Sequence, residues 1–247
     1  MAITTISRRR FARWTAGALI ATGLAVGPSL TMESAGDAGG GPCAASQSEA
    51  NPIRTTGGLT AARLCEAMGG AVSLDRYEQL LGPVSDALEH SEATTPRRMS
   101  MWLAQIGHES GGLRYMEEIA DGSQYEGRAD LGNTRPGDGK RFKGRGPIQV
   151  TGRHNYTALS VWAHRQGLVP TPTWFVDRPG DLATDRYGFY GAVWYWTVAQ
   201  PHINSLSDAG DLIAVTKAIN GGLHGIHDRK KYWIKNQALS LSTPGVD

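Results

Sequence analysis

Residues 95–112 read TPRRMSMWLAQIGHESGG, and this stretch predicts a helix that ends beside a carboxylate. Thr95 is able to cap the helix, and Pro96 suits its first turn because proline lacks the N–H that a first turn leaves unpaired. Apolar residues then recur at helical spacing as one stripe: Met99, Trp102, Leu103 and Ile106. The glycine pair at 111–112 predicts the end of the helix. Glu109 is therefore expected in the last turn.

Glu117 and Glu118 follow the glycine pair and supply a second carboxylate. In a continuous helix, the step from Glu109 to Glu118 would separate the two carboxylates by about 13 Å along the axis and place them on opposite faces. A chain reversal at the glycines instead brings Glu118 back towards Glu109, to the roughly 6.5–9.5 Å at which a water fits between acid and base. Inverting hydrolysis of a glycosidic bond requires these two groups. The pattern therefore indicates a sugar-polymer hydrolase.

A glycine-rich segment at residues 144–152, GRGPIQVTG, is followed by the polar run Arg153-His154-Asn155-Tyr156. Its glycines permit close approach of the backbone to a ligand, and the amide and hydroxyl groups beside them suit a sugar. The stretch 135–153 is basic, with Asp138 as its one acidic residue, and such a strip is able to attract an anionic polymer. Its basic residues are Arg135, Lys140, Arg141, Lys143, Arg145 and Arg153.

The amino terminus is typical of an export signal, which we assign to residues 1–35. Residues 7–11, SRRRF, resemble the twin-arginine pattern, and residues 14–32 carry no charge. The chain is therefore expected to pass through the export machinery and to be secreted or associated with the cell wall. An uncleaved signal would leave the protein tethered to the membrane, because the uncharged length approaches the ~20 residues that span a bilayer.

The two cysteines of the chain, Cys43 and Cys65, bear on the same question. In an exported protein they are able to form one disulfide that ties the amino-terminal segment to the first helix, whereas in the cytosol they would be ordinary thiols. Residues 36–58 are rich in Gly, Ala, Ser, Asp and Pro, and this composition predicts a flexible linker.

Residues 59–241 are predicted to form one mainly helical domain, followed by a tail at 242–247. The apolar content of 40% suffices for a single core. Beyond the central helix, we predict helices at 181–199, 208–219 and 228–241 and a long functional loop at 119–146. Opposite charges balance in this part of the chain, which argues against nucleic acid as a partner. The expected state is a monomer.

Several ordered motifs together resemble glycoside hydrolase family 19, which comprises chitinases and the related endolysins of phages and bacteria. They are GHESGG at 107–112, YEGRADLGN at 125–133, PGDG at 136–139, GRGPIQVTG at 144–152 with Asn155-Tyr156, and AINGG at 218–222. The resemblance is closest to the loop-poor endolysin branch. It implies a lysozyme-like, mainly helical fold of two lobes around a central substrate cleft. It also implies inversion without a covalent intermediate, and neither a metal nor a cofactor.

The resemblance assigns a role to each matching residue. Glu109 resembles the general acid, Glu118 the general base, and Thr151 the residue that helps to hold the attacking water. The residues that it implies for sugar binding are Gln149, Asn155, Asn220, Arg229, His108 and Tyr156. The segment after Glu118 is shorter than in the family pattern, so Glu117 and Glu126 stay open as alternatives for the base.

Other functions remain open on the sequence alone. His224 and His227 suggest a zinc hydrolase, although no His-Glu-x-x-His element is present. A lytic transglycosylase would use one glutamate, and a glycan-binding protein without activity would use none.

For the polymer itself we expect peptidoglycan, with chitin as the alternative, because the basic strip and the export signal suit a polymer that carries anionic peptides.

Overall fold

Short helices build most of the structure in the computed structural model, which describes Cys43 and residues 58–239. In chain order the α-helices are α1 (Ala61–Ala67), α2 (Leu74–His90), α3 (Pro96–Ser110), α4 (Asp138–Arg141), α5 (Arg153–Arg165), α6 (Trp174–Asp177), α7 (Gly188–Trp194), α8 (Ile203–Asp208), α9 (Leu212–Asn220) and α10 (Ile226–Ala238). Further helical turns are the 3-10 helices Ser123–Tyr125, Ala129–Leu131 and Pro179–Ala183 and the π-helix Tyr195–Ala199. The prediction of a mainly helical fold is confirmed.

The predicted central helix is α3, and it is enclosed by the rest of the domain. The Thr95 side chain accepts a hydrogen bond from the backbone N–H of Arg98 at 3.3 Å, so the predicted N-cap is present. Every residue from Met99 to Gly107 is buried. Nine consecutive residues make more than two helical turns, so this part of α3 is buried on all faces rather than along the single stripe expected from the sequence. This burial gives the end of α3 a fixed position.

Helix α10 lies along α3, while α2 packs against α1 and α7. The approach of α10 is close at Gly107, where an added Cβ atom would lie 2.9 Å from two ring carbons of Tyr232. Glycine at this position therefore allows the last turns of α3 to contact α10. That contact brings residues from the end of the chain to the carboxylate at position 109.

Two of the predicted helices differ from the structure. The predicted helix at 181–199 is divided into Pro179–Ala183, α7 and the π-helix, because Asp185 is drawn out to Arg76 of α2 by two hydrogen bonds of 2.6 Å. The predicted helix at 208–219 begins later, at Leu212, because the Asp211 side chain caps it by accepting from Ala214 N at 2.8 Å. Both differences arise from polar side-chain contacts, which the spacing of hydrophobic residues does not reveal.

The carboxyl-terminal helix was predicted at 228–241 and spans Ile226–Ala238. The predicted loop at 119–146 holds two of the 3-10 helices and the single turn of α4. Buried apolar side chains from Leu59 to Ile219 form one core. No helix in the described part of the chain has both the length and the apolar character needed to cross a membrane.

Cys43 and Cys65 form a disulfide. It joins Cys43 to helix α1, in agreement with the pairing considered for an exported protein. The assigned signal (1–35), nearly all of the predicted linker (36–58) and the tail (242–247) lie outside the described residues.

Helix α3 is ended by three left-handed residues at and after the predicted glycine pair. Helix α3 ends at Ser110, and Gly111, Gly112 and Leu113 follow with φ values of 59°, 73° and 68°. These left-handed values favour glycine, because a side chain crowds the backbone there. At Gly112 the space is also closed, since an added Cβ atom would lie 2.5 Å from the carbonyl oxygen of Met68. The predicted end of the helix beside Glu109 is thus confirmed.

Replacing Gly112 by alanine is expected to lower the free energy of unfolding by about 2–4 kcal/mol, because it adds a backbone clash to the cost of a left-handed residue. Gly127→Ala is the matched control, since Gly127 has a φ of 69° and open space around its Cα. The control is expected to cost only about 1–2 kcal/mol. Urea unfolding of both variants measures the difference, and equal losses would show that the contact with Met68 has no energetic weight.

Candidate active site

Glu109 lies in the last turn of α3 with its side chain only 5% exposed. Its carboxylate forms an ion pair and hydrogen bond with Nη2 of Arg229 from α10. The Arg229 side chain is 0% exposed, and it also donates to Oε1 of Gln105 at 2.6 Å and to the carbonyl oxygen of His224 at 3.2 Å. Gln105 and Glu109 are four residues apart on one face of α3, so a single guanidinium reaches both.

The turn between α9 and α10 is held against this ion pair. Nδ2 of Asn220 donates to the carbonyl oxygen of His224 at 2.9 Å, and its Oδ1 accepts from Gly222 N at 2.9 Å. Because His224 also accepts from Arg229, Asn220 and Arg229 share one backbone oxygen. The side chain of Asn220 therefore sets the course of the turn beside Glu109.

His108 contacts the start of α10 at Gly225 and Asp228. Its Nδ1 lies 2.7 Å from Oδ2 of Asp228. Its ring lies where a side chain at Gly225 would be, since an added Cβ atom would come within 2.1 Å of the ring. The imidazole thus packs α3 onto the start of α10. Three residues predicted to bind sugar, His108, Asn220 and Arg229, are joined in one network around Glu109.

Tyr195, in the π-helical turn, completes the surroundings of Glu109. Its hydroxyl donates to the carbonyl oxygens of Ala218 and Ile219 at 3.1 and 2.9 Å, which ties the π-helix to the end of α9. Burial raises the pKa of Tyr195 to about 12, and the nearby Glu109 carboxylate acts in the same direction. The phenol is therefore neutral over the physiological range and remains a hydrogen-bond donor.

Glu118 is held by neutral donors. Its Oε1 accepts from Nε2 of Gln124 at 2.9 Å and from the hydroxyl of Tyr125 at 3.0 Å, and its Oε2 accepts from Gly144 N at 3.0 Å. The backbone of Glu118 also donates to the carbonyl oxygen of Gly144 at 2.9 Å. These contacts orient the carboxylate without pairing it to a cation.

The two alternative bases, Glu117 and Glu126, have different hydrogen-bond and ion-pair partners. Oε1 of Glu117 lies 2.8 Å from Nε of Arg145 and 3.4 Å from Nζ of Lys143, so this carboxylate is neutralised by two cations. Glu126 accepts from Gly137 N at 2.6 Å and from Gly139 N at 2.8 Å, at the start of α4. Both side chains therefore hold local structure, Glu117 beside the bridge to Arg145 and Glu126 at the start of α4.

The glycine-rich segment lies directly beside Glu118. Antiparallel bridges join Glu117 to Arg145 and Arg145 to Val150, which aligns the three stretches of backbone. Gly144 is the point of closest approach, because an added Cβ atom would lie 2.6 Å from Oε1 of Gln149 and 3.2 Å from Oε2 of Glu118. Gln149 is thus placed next to the Glu118 carboxylate, in a left-handed conformation with φ of 57°. Strained backbone of this kind is concentrated at functional sites.

Thr151 and Asn155 extend this arrangement. The Thr151 hydroxyl donates to the carbonyl oxygen of Gln149 at 2.9 Å, and Nδ2 of Asn155 donates to the carbonyl oxygen of Thr151 at 2.9 Å. The Thr151 oxygen keeps lone pairs that are able to accept from a water. The predicted residues Glu118, Gln149, Thr151 and Asn155 therefore form a second network.

Tyr156 and Arg229 have positions other than those predicted. Tyr156 is 0% exposed, donates to the carbonyl oxygen of Lys143 at 2.7 Å and accepts from Nη1 of Arg145 at 3.1 Å. Its burial raises the pKa of the hydroxyl. Neither Tyr156 nor Arg229 offers surface to a sugar, so both position other groups instead. The reason is the same for each: a large polar side chain fits the core when its polar atoms are fully bonded.

The sequence patterns assign no role to four residues that contact the site: Gln105, Gln124, Tyr125 and Asp228. Gln105 had a signal, because it is an uncharged polar residue in an apolar helix, four residues before Glu109. No spacing rule connects Asp228 with His108 across 120 residues. Among the described residues, no group of three or more His, Cys, Asp or Glu side chains is arranged to hold a metal ion, and the pair His224 and His227 gains no third ligand there.

Gly144→Ala is expected to lower kcat/KM by about 10- to 100-fold, because the new methyl group displaces the Gln149 amide and the Glu118 carboxylate. The change in unfolding free energy is expected to stay within about 1 kcal/mol, since the displaced atoms are ends of flexible side chains. Gly180→Ala, with open space around its Cα, is the control. Kinetics on a soluble glycan and thermal unfolding separate the two effects, and unchanged kinetics would mean that Gly144 does not set the position of Glu118.

Two proteins of known family or activity are similar to this chain in sequence. A glycosyl hydrolase family 19 domain-containing protein of Haemophilus influenzae is 29% identical, over 61% of this chain and 84% of its own length. An endochitinase of Arabidopsis thaliana is 34% identical, over 61% of this chain and 50% of its own length. No family model matches the chain. The chain is similar in sequence to glycoside hydrolase family 19.

Solved structures of family 19 members share the fold. Chitinase C of Streptomyces griseus superposes with a TM-score of 0.57 at 20% identity, over 78% of this chain and 98% of its own. A class IV chitinase of Zea mays gives 0.54 at 19%, over 76% of this chain and 95% of its own. The lysozyme-like helical fold expected from the sequence is confirmed, and the endochitinase relatives support the prediction of a glycosidase. The chain spans half of the Arabidopsis endochitinase that it matches.

Proposed function

We propose that this protein, like the family 19 enzymes that it resembles, hydrolyses β-1,4 glycosidic bonds in an N-acetylated cell-wall polysaccharide, with inversion at the anomeric carbon. The observation that supports the proposal best is the contrast between its two carboxylates. Glu109 is buried against a guanidinium, whereas Glu118 is held by an amide, a phenol and a backbone N–H. Carboxyl groups in contrasting environments are typical of an acid and base pair.

In this proposal Glu109 acts in its protonated form and donates that proton to the oxygen of the departing sugar, which leaves the carboxylate paired with Arg229. Arg229 and Gln105 hold the carboxyl group at the end of α3, so the proton is delivered from a fixed position. The buried guanidinium also remains beside the carboxylate that the transfer leaves behind. Positive charge next to that new anion stabilises it in the low-dielectric interior.

Glu118 acts as the base that removes a proton from the attacking water. Its three donors occupy both lone-pair sites of Oε1 and one of Oε2, so the remaining site on Oε2 accepts from that water. Thr151 holds the water through a lone pair, since its own hydroxyl hydrogen is used by Gln149 O. Gln149 and Asn155 are positioned beside this pair to bind the sugar. Attack opposite to the leaving group produces the α-anomer from a β-linked chain.

For the polymer, we propose peptidoglycan first. The segment 135–153 carries six basic residues against Asp138, which suits a glycan that bears anionic peptides. Chitin is the second candidate, because relatives from Arabidopsis thaliana and Beta vulgaris are named endochitinases. We further propose that the protein acts as an exported monomer on the cell wall. The Cys43–Cys65 disulfide supports export, since such bonds persist in oxidising compartments.

The purified chain, incubated separately with chitin oligomers and with peptidoglycan, tests the proposal. We expect reducing ends of normal mass by mass spectrometry and the α-anomer in the first NMR spectra. Anhydro-sugar ends would identify a lytic transglycosylase, and the β-anomer would exclude inversion. Binding of both polymers with no product from either would show a glycan-binding protein without activity.

Glu118→Gln is expected to reduce kcat by about 10²-fold, because the amide cannot take a proton from water. Glu117→Gln and Glu126→Gln are the matched controls, and each is expected to change kcat by less than about fivefold, since these side chains serve Arg145 and α4. All three variants are compared at equal folded fraction. If Glu126→Gln shows the large loss and Glu118→Gln does not, the base has been assigned to the wrong residue.

A further inference from the structure

A cavity with a volume of about 560 Å³ lies apart from the two carboxylate networks, between the start of α4, the start of α5 and the end of α6. Its size is that of a site for a small molecule or for one substituent of a polymer. Three arginines and two aspartates line it, which leaves one net positive charge: Arg135, Arg141, Arg153, Asp138 and Asp177.

One arginine of the cavity is neutralised within the protein. Arg153 donates to both carboxylate oxygens of Asp138, at 2.8 and 2.5 Å, and Asp138 is 1% exposed. The Arg153 guanidinium holds the pKa of the Asp138 carboxyl below its usual range, so this carboxylate stays ionised. The pair therefore builds one wall of the cavity and contributes no net charge to it.

The other two arginines outnumber the remaining carboxylate of the cavity, Asp177, which accepts from the Thr173 hydroxyl at 2.7 Å. Arg141 donates from Nη2 to the carbonyl oxygens of Val176 and Asp177, at 2.9 and 3.1 Å, so its hydrogen-bond partners are neutral. Arg135 is exposed, and its guanidinium makes no hydrogen bond or ion pair with residues in the described part of the chain. A guanidinium presents paired N–H groups that match the two oxygens of a carboxylate.

A chain of hydrogen bonds connects this cavity with Glu118. Backbone N of Arg153 donates to Oδ1 of Asn133 at 2.8 Å, and Nδ2 of Asn133 donates to the carbonyl oxygen of Tyr125 at 3.0 Å. The hydroxyl of Tyr125 in turn donates to Glu118 at 3.0 Å. These contacts join one wall of the cavity to the loop that holds the proposed base.

We propose that this cavity is an accessory site for a carboxylate, in which Arg135 and Arg141 bind the free carboxyl group of a peptide substituent on the polysaccharide. The proposal rests on the function proposed above, with peptidoglycan as the polymer. Chitin carries no carboxylate, so an occupied cavity makes the enzyme select the peptide-bearing glycan. Arg135 is then a residue that determines specificity.

Binding of N-acetylmuramyl dipeptide to the full chain tests this inference without turnover, because the ligand contains no bond between two sugars. Its partner ligand is the same molecule with the carboxyl group amidated. We expect the acid to bind about tenfold more tightly than the amide by calorimetry, and this preference to weaken at high salt. Arg135→Glu is expected to remove the preference, while Arg165→Glu, the same charge change at an exposed residue of α5, leaves it intact.

Equal binding of acid and amide, or a preference that survives Arg135→Glu, would overturn the inference. A third ligand, glycerol phosphate, separates the two sources of negative charge in a cell wall. If it binds through Arg135 more tightly than the dipeptide, the cavity serves a phosphate polymer and the carboxylate assignment is wrong.

Hydrolysis assays of the parent chain distinguish a failure of the cavity proposal from a failure of the proposed function. Turnover of either polymer together with equal binding of acid and amide rejects the cavity and retains the enzyme. A tenfold preference with no turnover rejects the enzyme and retains the cavity.

Discussion

Glu109→Gln is expected to lower kcat on an unactivated glycan by about 10³-fold or more while the protein stays folded. Glutamine has the size of glutamate, and its carbonyl oxygen is able to accept the hydrogen bond from Arg229. It has no acidic proton to give to the leaving oxygen. The loss therefore reports proton transfer rather than a change of packing.

A second substrate makes this prediction sharper. The leaving group of a dinitrophenyl chitin oligosaccharide is dinitrophenolate, which departs without a proton. Glu109→Gln is therefore expected to reduce hydrolysis of this substrate by only about tenfold or less. Glu89→Gln, an exposed change on α2, is expected to alter neither rate. Equal losses on both substrates would show that Glu109 has a structural role, and the acid would then have to be another group.

Arg229→Ala is expected to lower the free energy of unfolding by about 3–5 kcal/mol. The change leaves the Glu109 carboxylate buried without its cation and leaves Gln105 and the carbonyl oxygen of His224 without a donor. An uncompensated buried charge is among the largest single costs that a mutation causes. Urea unfolding measures the loss, and Lys230→Ala, the exposed neighbour on α10, is expected to change stability by less than about 0.5 kcal/mol.

A double-mutant cycle separates the charge from the packing. In the Arg229→Ala background, Glu109→Gln is expected to restore stability, because it removes the unpaired charge. In the parent chain the same substitution should destabilise. Effects that simply add would show that the two side chains do not interact energetically, in conflict with their contact in the structure. Arg229→Lys is expected to rescue little, since one ammonium cannot reach the three acceptors that the guanidinium bonds.

Local chemistry explains why the sequence predicted the centre of the fold. The capping threonine, the proline of the first turn and the glycines that end α3 act within one or two turns of the chain, so their effect can be read from neighbours. The helix predicted at 181–199 was wrong for the opposite reason. Its interruption depends on Asp185 bonding to Arg76, two residues that are 109 positions apart.

The sequence by itself determined a mainly helical domain, a carboxylate in the last turn of its central helix and the end of that helix at the glycines just after it. These features rest on backbone preferences that each residue carries with it. The tertiary structure decided the partners of the acidic residues, because Glu117 pairs with Arg145 and Glu126 accepts from backbone N–H groups at the start of α4. It also decided that Arg229 lies buried against Glu109 instead of at a surface. Burial and ion pairing depend on distances between remote segments, and those distances exist only once the core has formed.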